Sequence, residues 1–314
     1  MLRFLGIEAA GGIVLVVATV VALAWANSPW SAGYQDFWHS EIQFSVGDWF
    51  SLEHDGHPLT LADFVNDVLM VLFFFVVGLE IKRELVAGEL RGRRAALLPA
   101  VAALGGMVVP ALIFLAFNPS GDASSGWGIP MATDIAFAIG VLSLLGSRVP
   151  TPLKVFLLTL AIVDDIGAIV VIAIFYTGEL ATEWLFLALA VLVAVRALTK
   201  LRVWFTPVYV GLGLILWYAT FESGIHATLA GVAMGLLAPA RPLTGPDQAA
   251  TAVRPIVDGD VDAESVRRAG FLLGELVSVA ERIEHLLHPL TSLVIIPVFA
   301  LANAGIEISG DSLG

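Results

Sequence analysis

The sequence contains no cysteine among its 314 residues and little charge, because Asp, Glu, Lys and Arg together make up only 14% of the chain. Without cysteine, disulfides and thiolate metal sites are excluded. A soluble domain normally carries about 25% charged residues, so the low charge argues against a water-soluble fold. The net charge of −12 argues against nucleic acid as a partner.

Apolar residues make up 58% of the chain and fall into long continuous blocks. These blocks are about 17–22 residues long, the length that a helix needs to cross roughly 30 Å of hydrocarbon. Only helices and closed barrels satisfy their backbone hydrogen bonds in lipid, and continuous apolarity lacks the alternation of a barrel strand. The sequence therefore predicts an all-α polytopic membrane protein.

The blocks predict about nine transmembrane helices in a single domain, 1–314. Two long loops separate them: 27–60, in which mixed β-formers and a Gly-Asp turn predict a β-hairpin, and 239–288, in which an apolar stripe predicts an amphipathic helix from Glu264. The spans are predicted near 7–26, 61–79, 95–117, 127–146, 153–176, 184–200, 205–220, 224–238 and 289–305.

The basic residues indicate how these spans are oriented. With a cytoplasmic N-terminus, all 16 Lys and Arg residues fall in cytoplasmic segments, whereas the loop 27–60 contains five acidic residues and none that is basic. Such one-sided placement follows the positive-inside rule. The distribution therefore predicts that the N-terminus and the loop 239–288 are cytoplasmic.

Four aspartates fall inside predicted spans, where each ionisable group costs about 2.5–3.5 kcal/mol on insertion scales. They are Asp67, Asp134, Asp164 and Asp165. A structural hydrogen bond from a protonated carboxyl is an alternative explanation, strongest for Asp67 near the start of its span. Asp164 and Asp165 are adjacent, so one helix directs two carboxylates about 100° apart. Oxygen ligands of this kind suit a hard cation.

The span 127–146 is predicted to contain a broken helix, because Gly126, Gly128 and Pro130 precede Thr133-Asp134. Irregular backbone at membrane depth is tolerated where it is buried in protein or lines an aqueous cavity. In such a site desolvation favours the neutral carboxylic acid, and an arriving cation favours the carboxylate. The pattern indicates proton-coupled cation transport.

Five sequence blocks together resemble the NhaA-type sodium/proton antiporters of the bacterial inner membrane. They are GWGIPMATDIAFA, LAIVDDIGAI, FFVVGLEIKREL, SGIHATLAG and FALANAG. The resemblance implies the inverted repeats and broken helices known for this family. It also implies a pH-regulated, electrogenic exchange of Na⁺ or Li⁺ for H⁺, a homodimer in membrane lipid, no cofactor and no enzymatic activity.

The resemblance also assigns roles to individual residues. Asp164 and Asp165 correspond to the ion- and proton-binding pair, Asp134 with its neighbour Thr133 to the charge compensation at a helix crossing, and Asp67 to a supporting aspartate in the core. The residues that match the pH-sensing cluster are Glu80, Glu84, Glu284, His285 and His288. Glu80 and Glu84 could instead form interfacial ion pairs with Lys82 and Arg83, and His226 receives no role.

Two expectations compete with an active antiporter. The family has three further helices, including the second broken one and a lysine that partners the aspartate pair, so the chain is expected to lack the C-terminal repeat. The alternative function is therefore a truncated, transport-inactive membrane protein. An intramembrane aspartyl protease is disfavoured, since its Tyr-Asp and Gly-x-Gly-Asp contexts are absent.

Overall fold

A computed structural model gives the architecture of most of the chain, and it is almost entirely helical. The described residues are 2–43, 45–46, 50–51, 53–54, 57–133, 149–178, 180–201, 203, 205–242, 244–259 and 261–308. The α-helices are α1 (Leu2–Ala26), α2 (Ser31–Trp38), α3 (Leu61–Val86), α4 (Arg93–Phe117), α5 (Thr151–Phe175), α6 (Thr182–Lys200), α7 (Thr206–Glu222), α8 (Thr228–Leu237), α9 (Pro246–Val257), α10 (Ala263–Gly274) and α11 (Val279–Asn303).

Five of these helices, α3, α4, α5, α6 and α11, are long and apolar enough to cross a membrane. A sixth span results if α1 and α2, which meet at a bend of 116°, are counted as one, and α8 is a shorter apolar helix. Many large apolar side chains on α1, α4 and α6 face outwards. Apolar surface of this extent fits lipid rather than water. The chain is therefore a multi-pass membrane protein, although the count of nine spans stays a prediction.

The closest helix crossing joins α3 to α8, and glycines make it possible. A Cβ atom on Gly78 would lie 2.6 Å from the carbonyl oxygen of Val232, and one on Gly235 would lie 2.6 Å from that of Phe75. Gly231 and Gly235 are four residues apart, so both lie on the same face of α8. Small residues at this spacing let membrane helices approach backbone to backbone.

Short antiparallel strands occupy the loop between α2 and α3. The strands β1 (Glu41–Ile42), β4 (Glu53–His54) and β5 (His57–Thr60) form one sheet in the order β1-β5-β4. A second pair joins β2 (Ser45–Val46) to β3 (Phe50–Ser51). The sheet passes directly into α3, where Thr60 and Asp63 form a reciprocal capping box.

The region 239–288 differs from the expected loop with one amphipathic helix. Helix α10 ends at Gly274, and Ser278 then caps α11 by accepting a hydrogen bond from the backbone N–H of Glu281 (3.2 Å). The helix expected from Glu264 is present as α10, but the apolar stripe that continues to Leu287 is divided between α10 and α11, because the cap residue Ser278 favours a new helix start. The span predicted near 289–305 overlaps α11, which begins earlier, at Val279, and runs through Pro289 to Asn303.

Helices α3 and α11 each contain a π-helical turn, at Val65–Leu69 and Thr291–Ile295. Such turns occur mostly as single-turn bulges and often at functional sites. The first turn contains Asn66 and Asp67. The side-chain amides of Asn66 and Asn303 bond to each other across the two helices, at 3.0 and 3.4 Å. The pair ties α3 to the end of α11.

Candidate ion-binding site

Asp164 lies in the middle of α5 and is one of the most deeply buried side chains among the described residues. Only 1% of its surface is exposed. Helix α5 is otherwise apolar around it, from Leu157 to Ile174 apart from Thr159 and the neighbouring Asp165. A buried polar group of this kind needs hydrogen-bond partners within the protein.

Thr133 supplies two of those partners. Its backbone N–H and its hydroxyl both donate to the Oδ2 atom of Asp164, at 3.1 and 2.5 Å. The donors are available because a 3₁₀ helix, Asp122–Met131, ends just before them and Ala132 has extended backbone. Thr133 therefore lies beyond the helical hydrogen bonds and turns its amide to the carboxylate.

The 3₁₀ helix is held in place by the end of α5. The hydroxyl of Tyr176 donates to the carbonyl of Ser125 (2.8 Å) and accepts from the N–H of Gly128 (3.0 Å). Trp127 packs edge-on against Phe175, with ring centroids 5.2 Å apart. A single helix thus carries both the buried aspartate and the anchor of the segment that hydrogen-bonds it.

Asp165 faces a different direction and lines a cavity of about 410 Å³. Ala132, Thr133, Glu80 and His288 also line this cavity, so it extends from Asp165 to ionisable residues of α3 and α11. Its other walls come mainly from apolar side chains. The two carboxylates therefore have different surroundings: Asp164 accepts hydrogen bonds from Thr133 inside the protein, and Asp165 lines the cavity.

The expected cluster of acidic and histidine side chains centres on Arg83. The Nη1 atom of Arg83 lies 2.6 Å from the Oε1 atom of buried Glu284, and its Nη2 atom lies 3.9 Å from Glu84. Arg83 also acts electrostatically on Glu80 and His288. The second carboxylate oxygen of Glu284, Oε2, is buried and has no hydrogen-bond partner in the described part of the chain.

Two of the five predicted cluster residues, Glu84 and Glu284, lie within 4 Å of this guanidinium. Glu80 and His288 line the cavity, and His285 is exposed on α11. For Arg83, sequence reasoning gave only local ion pairs with its neighbours on α3, as an alternative to the cluster. It missed the partner Glu284, which is 201 positions away in the chain. Hydrophobic periodicity gives no signal for a contact between two particular helices.

The remaining predicted residues lie apart from the cavity or outside the described chain. Asp67 lies in the π-helical turn of α3, where its backbone carbonyl accepts a hydrogen bond from the indole N–H of Trp217 (2.7 Å). Asp134 lies outside the described residues, as does most of the predicted span 127–146. His226 is exposed before α8.

The site provides carboxylate, hydroxyl and carbonyl oxygens, but few of these potential ligands lie close together. No group of three or more His, Asp or Glu side chains suited to a metal ion occurs within the described residues. A hard cation could use carboxylate oxygens together with Thr133, backbone carbonyls and water.

Comparison with known proteins gives a consistent result over the whole length of the chain. A family model described as Na⁺/H⁺ antiporter 1 matches residues 2–314. Na(+)/H(+) antiporter NhaA 3 of Frankia alni is 48% identical over 99% of this chain and 66% of its own length. The Na(+)/H(+) antiporters NhaA of Rhodopirellula baltica and Wolinella succinogenes are 48% and 43% identical, each over 99% of this chain and 71% of their own length. The chain thus spans about two thirds of the curated relatives that it matches.

Proposed function

Because the chain belongs to the Na⁺/H⁺ antiporter 1 family, we propose that it exchanges Na⁺ for H⁺ across the bacterial inner membrane. The observation that carries the proposal is the pair of adjacent aspartates in the middle of α5. Asp164 is buried and accepts two hydrogen bonds from Thr133, and Asp165 faces the cavity. Such intramembrane carboxylates are costly and typically mark ion or proton pathways.

The exchange rests on competition for these carboxylates. Low-dielectric surroundings favour the neutral acids, and a bound cation favours the ionised pair, so cation and protons exclude each other. If both carboxylates release a proton when one Na⁺ binds, each cycle moves one net charge. The transport is then electrogenic and a proton gradient drives Na⁺ out of the cell. Li⁺, also a small hard cation, is expected to bind the same oxygens.

Everted membrane vesicles test the assignment of the pair. Asp164→Asn and Asp165→Asn should each abolish Na⁺-dependent proton release, because an amide cannot exchange a proton for a cation. The matched control is Asp258→Asn, the same substitution at an exposed position after α9. Exchange at the wild-type rate in either α5 variant would contradict the proposal.

We propose further that the residues around Arg83 adjust this exchange to pH. Glu80 and His288 line the same cavity as Asp165, and Glu84 and Glu284 flank the guanidinium. A change of protonation in this cluster would therefore alter the charge next to the ion pathway. Histidine changes charge near neutral pH, which makes His288 a suitable member of such a cluster.

The orientation and the assembly are also proposals. One-sided placement of the 16 basic residues supports a cytoplasmic N-terminus. The strands between α2 and α3 have edges that can pair with a second copy, which supports a homodimer. Deleting residues 41–60 should lower the dimer fraction in detergent, and an unchanged fraction would argue against the strands as the interface.

The two alternatives receive no support. The comparisons do not favour a transport-inactive protein, because the relatives are named as sodium/proton antiporters. Asp164 and Asp165 are neighbours on one helix and point in different directions, whereas a protease dyad needs two carboxylates that face each other and share a proton.

A further inference from the structure

A second cavity, separate from the aspartate site, lies where α3, α6 and α8 end. It has a volume of about 430 Å³ and is open on one side. The described residues that line it include four basic side chains and no acidic one: Lys82, Arg196, Lys200 and Arg241. They come from three separate parts of the chain, so the fold and not a local run of sequence brings them together.

Among the residues that the structure describes, these four cations lack the acidic partners that other basic residues of the chain have. Arg83 pairs with Glu284, and Arg282 pairs with Glu275 at 2.7 Å. None of the four lining residues makes an ion pair in the part of the chain that the structure describes. Arg196 and Lys200 are also four residues apart on α6, a spacing at which like charges repel.

Helix ends do not neutralise this charge. Each helix C-terminus carries roughly −0.5 elementary charge, so the three that end here supply about −1.5 against four positive side chains. The positive-inside rule concerns only the side of the membrane on which basic residues lie. It does not require them to line one cavity without an acidic residue. The excess positive charge therefore indicates an anionic ligand.

The other residues that line the cavity indicate which class of anion it binds. Apolar side chains, among them Val86, Leu236 and Pro239, form the walls between the basic residues. Basic pockets between transmembrane helices bind phosphate-bearing lipid headgroups. The lysines and arginines suit phosphate oxygens, and the apolar walls suit the first carbons of an attached chain.

We infer that the cavity at the ends of α3, α6 and α8 binds a phosphate-bearing anion through Lys82, Arg196, Lys200 and Arg241. A phospholipid headgroup and free phosphate share this chemistry. Its lining shares no residue with the cavity that Asp165 lines, so anion binding can be measured without ion exchange. A failure of the antiport proposal would therefore leave it intact, and the reverse also holds.

Native mass spectrometry of the purified chain tests the inference with two probes, phosphatidylglycerol and inorganic phosphate. The double variant Lys82→Gln/Arg241→Gln should weaken binding of whichever probe the wild-type chain binds, on the order of tenfold or more, because each basic residue contributes to anionic lipid binding. The control is Arg267→Gln/Arg268→Gln, which removes the same charge from α10. Phosphatidylcholine serves as the lipid without net charge.

Each outcome decides the inference. Binding of phosphatidylglycerol that the site variant loses and the control keeps supports a lipid headgroup, and the same result with inorganic phosphate supports a soluble anion. Equal binding by both variants overturns the inference, and so does phosphatidylcholine bound as tightly as phosphatidylglycerol. If the first variant does not fold, Arg196→Gln/Lys200→Gln removes the other two cations and is judged in the same way.

Discussion

At the scale of single residues, the Thr133 hydroxyl is the contact that matters most to the aspartate site. It donates at 2.5 Å to Asp164, of whose surface only 1% is exposed. A hydrogen bond to a charged group contributes about 1.5–3 kcal/mol. The strength of this bond should therefore influence how readily Asp164 holds a negative charge when no cation is bound.

Thr133→Val keeps the side-chain shape and removes the hydroxyl. We expect the Na⁺ concentration at half-maximal exchange to change on the order of tenfold, since about 1.4 kcal/mol corresponds to that factor. Thr133→Ser should retain wild-type behaviour. The control is Thr159→Val, a buried threonine on α5 whose hydroxyl donates to the carbonyl of Val155 in its own helix (2.9 Å). Equal effects at both positions would argue against a specific role of Thr133.

Glu284 is the residue at which the proposed pH response is tested. Arg83, Glu80 and Glu281 are the charges that act on it. Glu284→Gln should flatten the pH profile of exchange near neutral pH, because it removes the carboxylate that pairs with Arg83. Glu264→Gln on exposed α10 is the matched control. An unchanged profile in the Glu284 variant, measured in everted vesicles, would exclude Glu284 from pH sensing.

At the scale of elements, the crossing of α3 and α8 determines where Glu80 and Arg83 lie. The two helices touch through backbone atoms. A methyl group added to Gly235 therefore meets rigid atoms of α3: the carbonyl oxygen of Phe75 at 2.6 Å and the amide nitrogen of Leu79 at 2.7 Å. An overpacked site of this kind has little room to relax.

Gly235→Ala should lower the thermal stability of the protein in detergent, because overpacking typically costs about 1–3 kcal/mol. Gly211→Ala on α7 provides the comparison, since a Cβ atom there has no neighbour within 4 Å. This control should be neutral or slightly stabilising, as alanine favours helix over glycine. Similar melting temperatures for the two variants would mean that the helices can separate without cost.

At the scale of the whole molecule, the proposed orientation can be tested because the chain has no cysteine of its own. A cysteine at Ser51 should react with a membrane-impermeant reagent added to intact cells. One at Ala250, on α9, should react only after the cells are opened. The expectation follows from the basic residues, all 16 of which are assigned to one side. Labelling of position 250 in intact cells would reverse the proposed orientation.

Prediction from the sequence worked best where local composition is sufficient. Continuous apolarity predicted the membrane helices, and two adjacent carboxylates within one such helix indicated the site. It did not detect the break between α10 and α11, where an apolar stripe continues across the cap residue Ser278. Periodicity indicates which face of a helix is apolar. It does not detect a break when the apolar pattern continues from one helix into the next.

By itself, the sequence determined the class of the protein, its membrane character and the residues with an energetic reason to be functional, because burial in lipid makes each charge costly. Only the tertiary structure decided that Thr133 donates twice to Asp164, that Arg83 pairs with Glu284, and that four basic side chains from separate parts of the chain line one cavity. These contacts join residues far apart in the chain, and their geometry depends on helix crossings whose backbone distances no local pattern encodes.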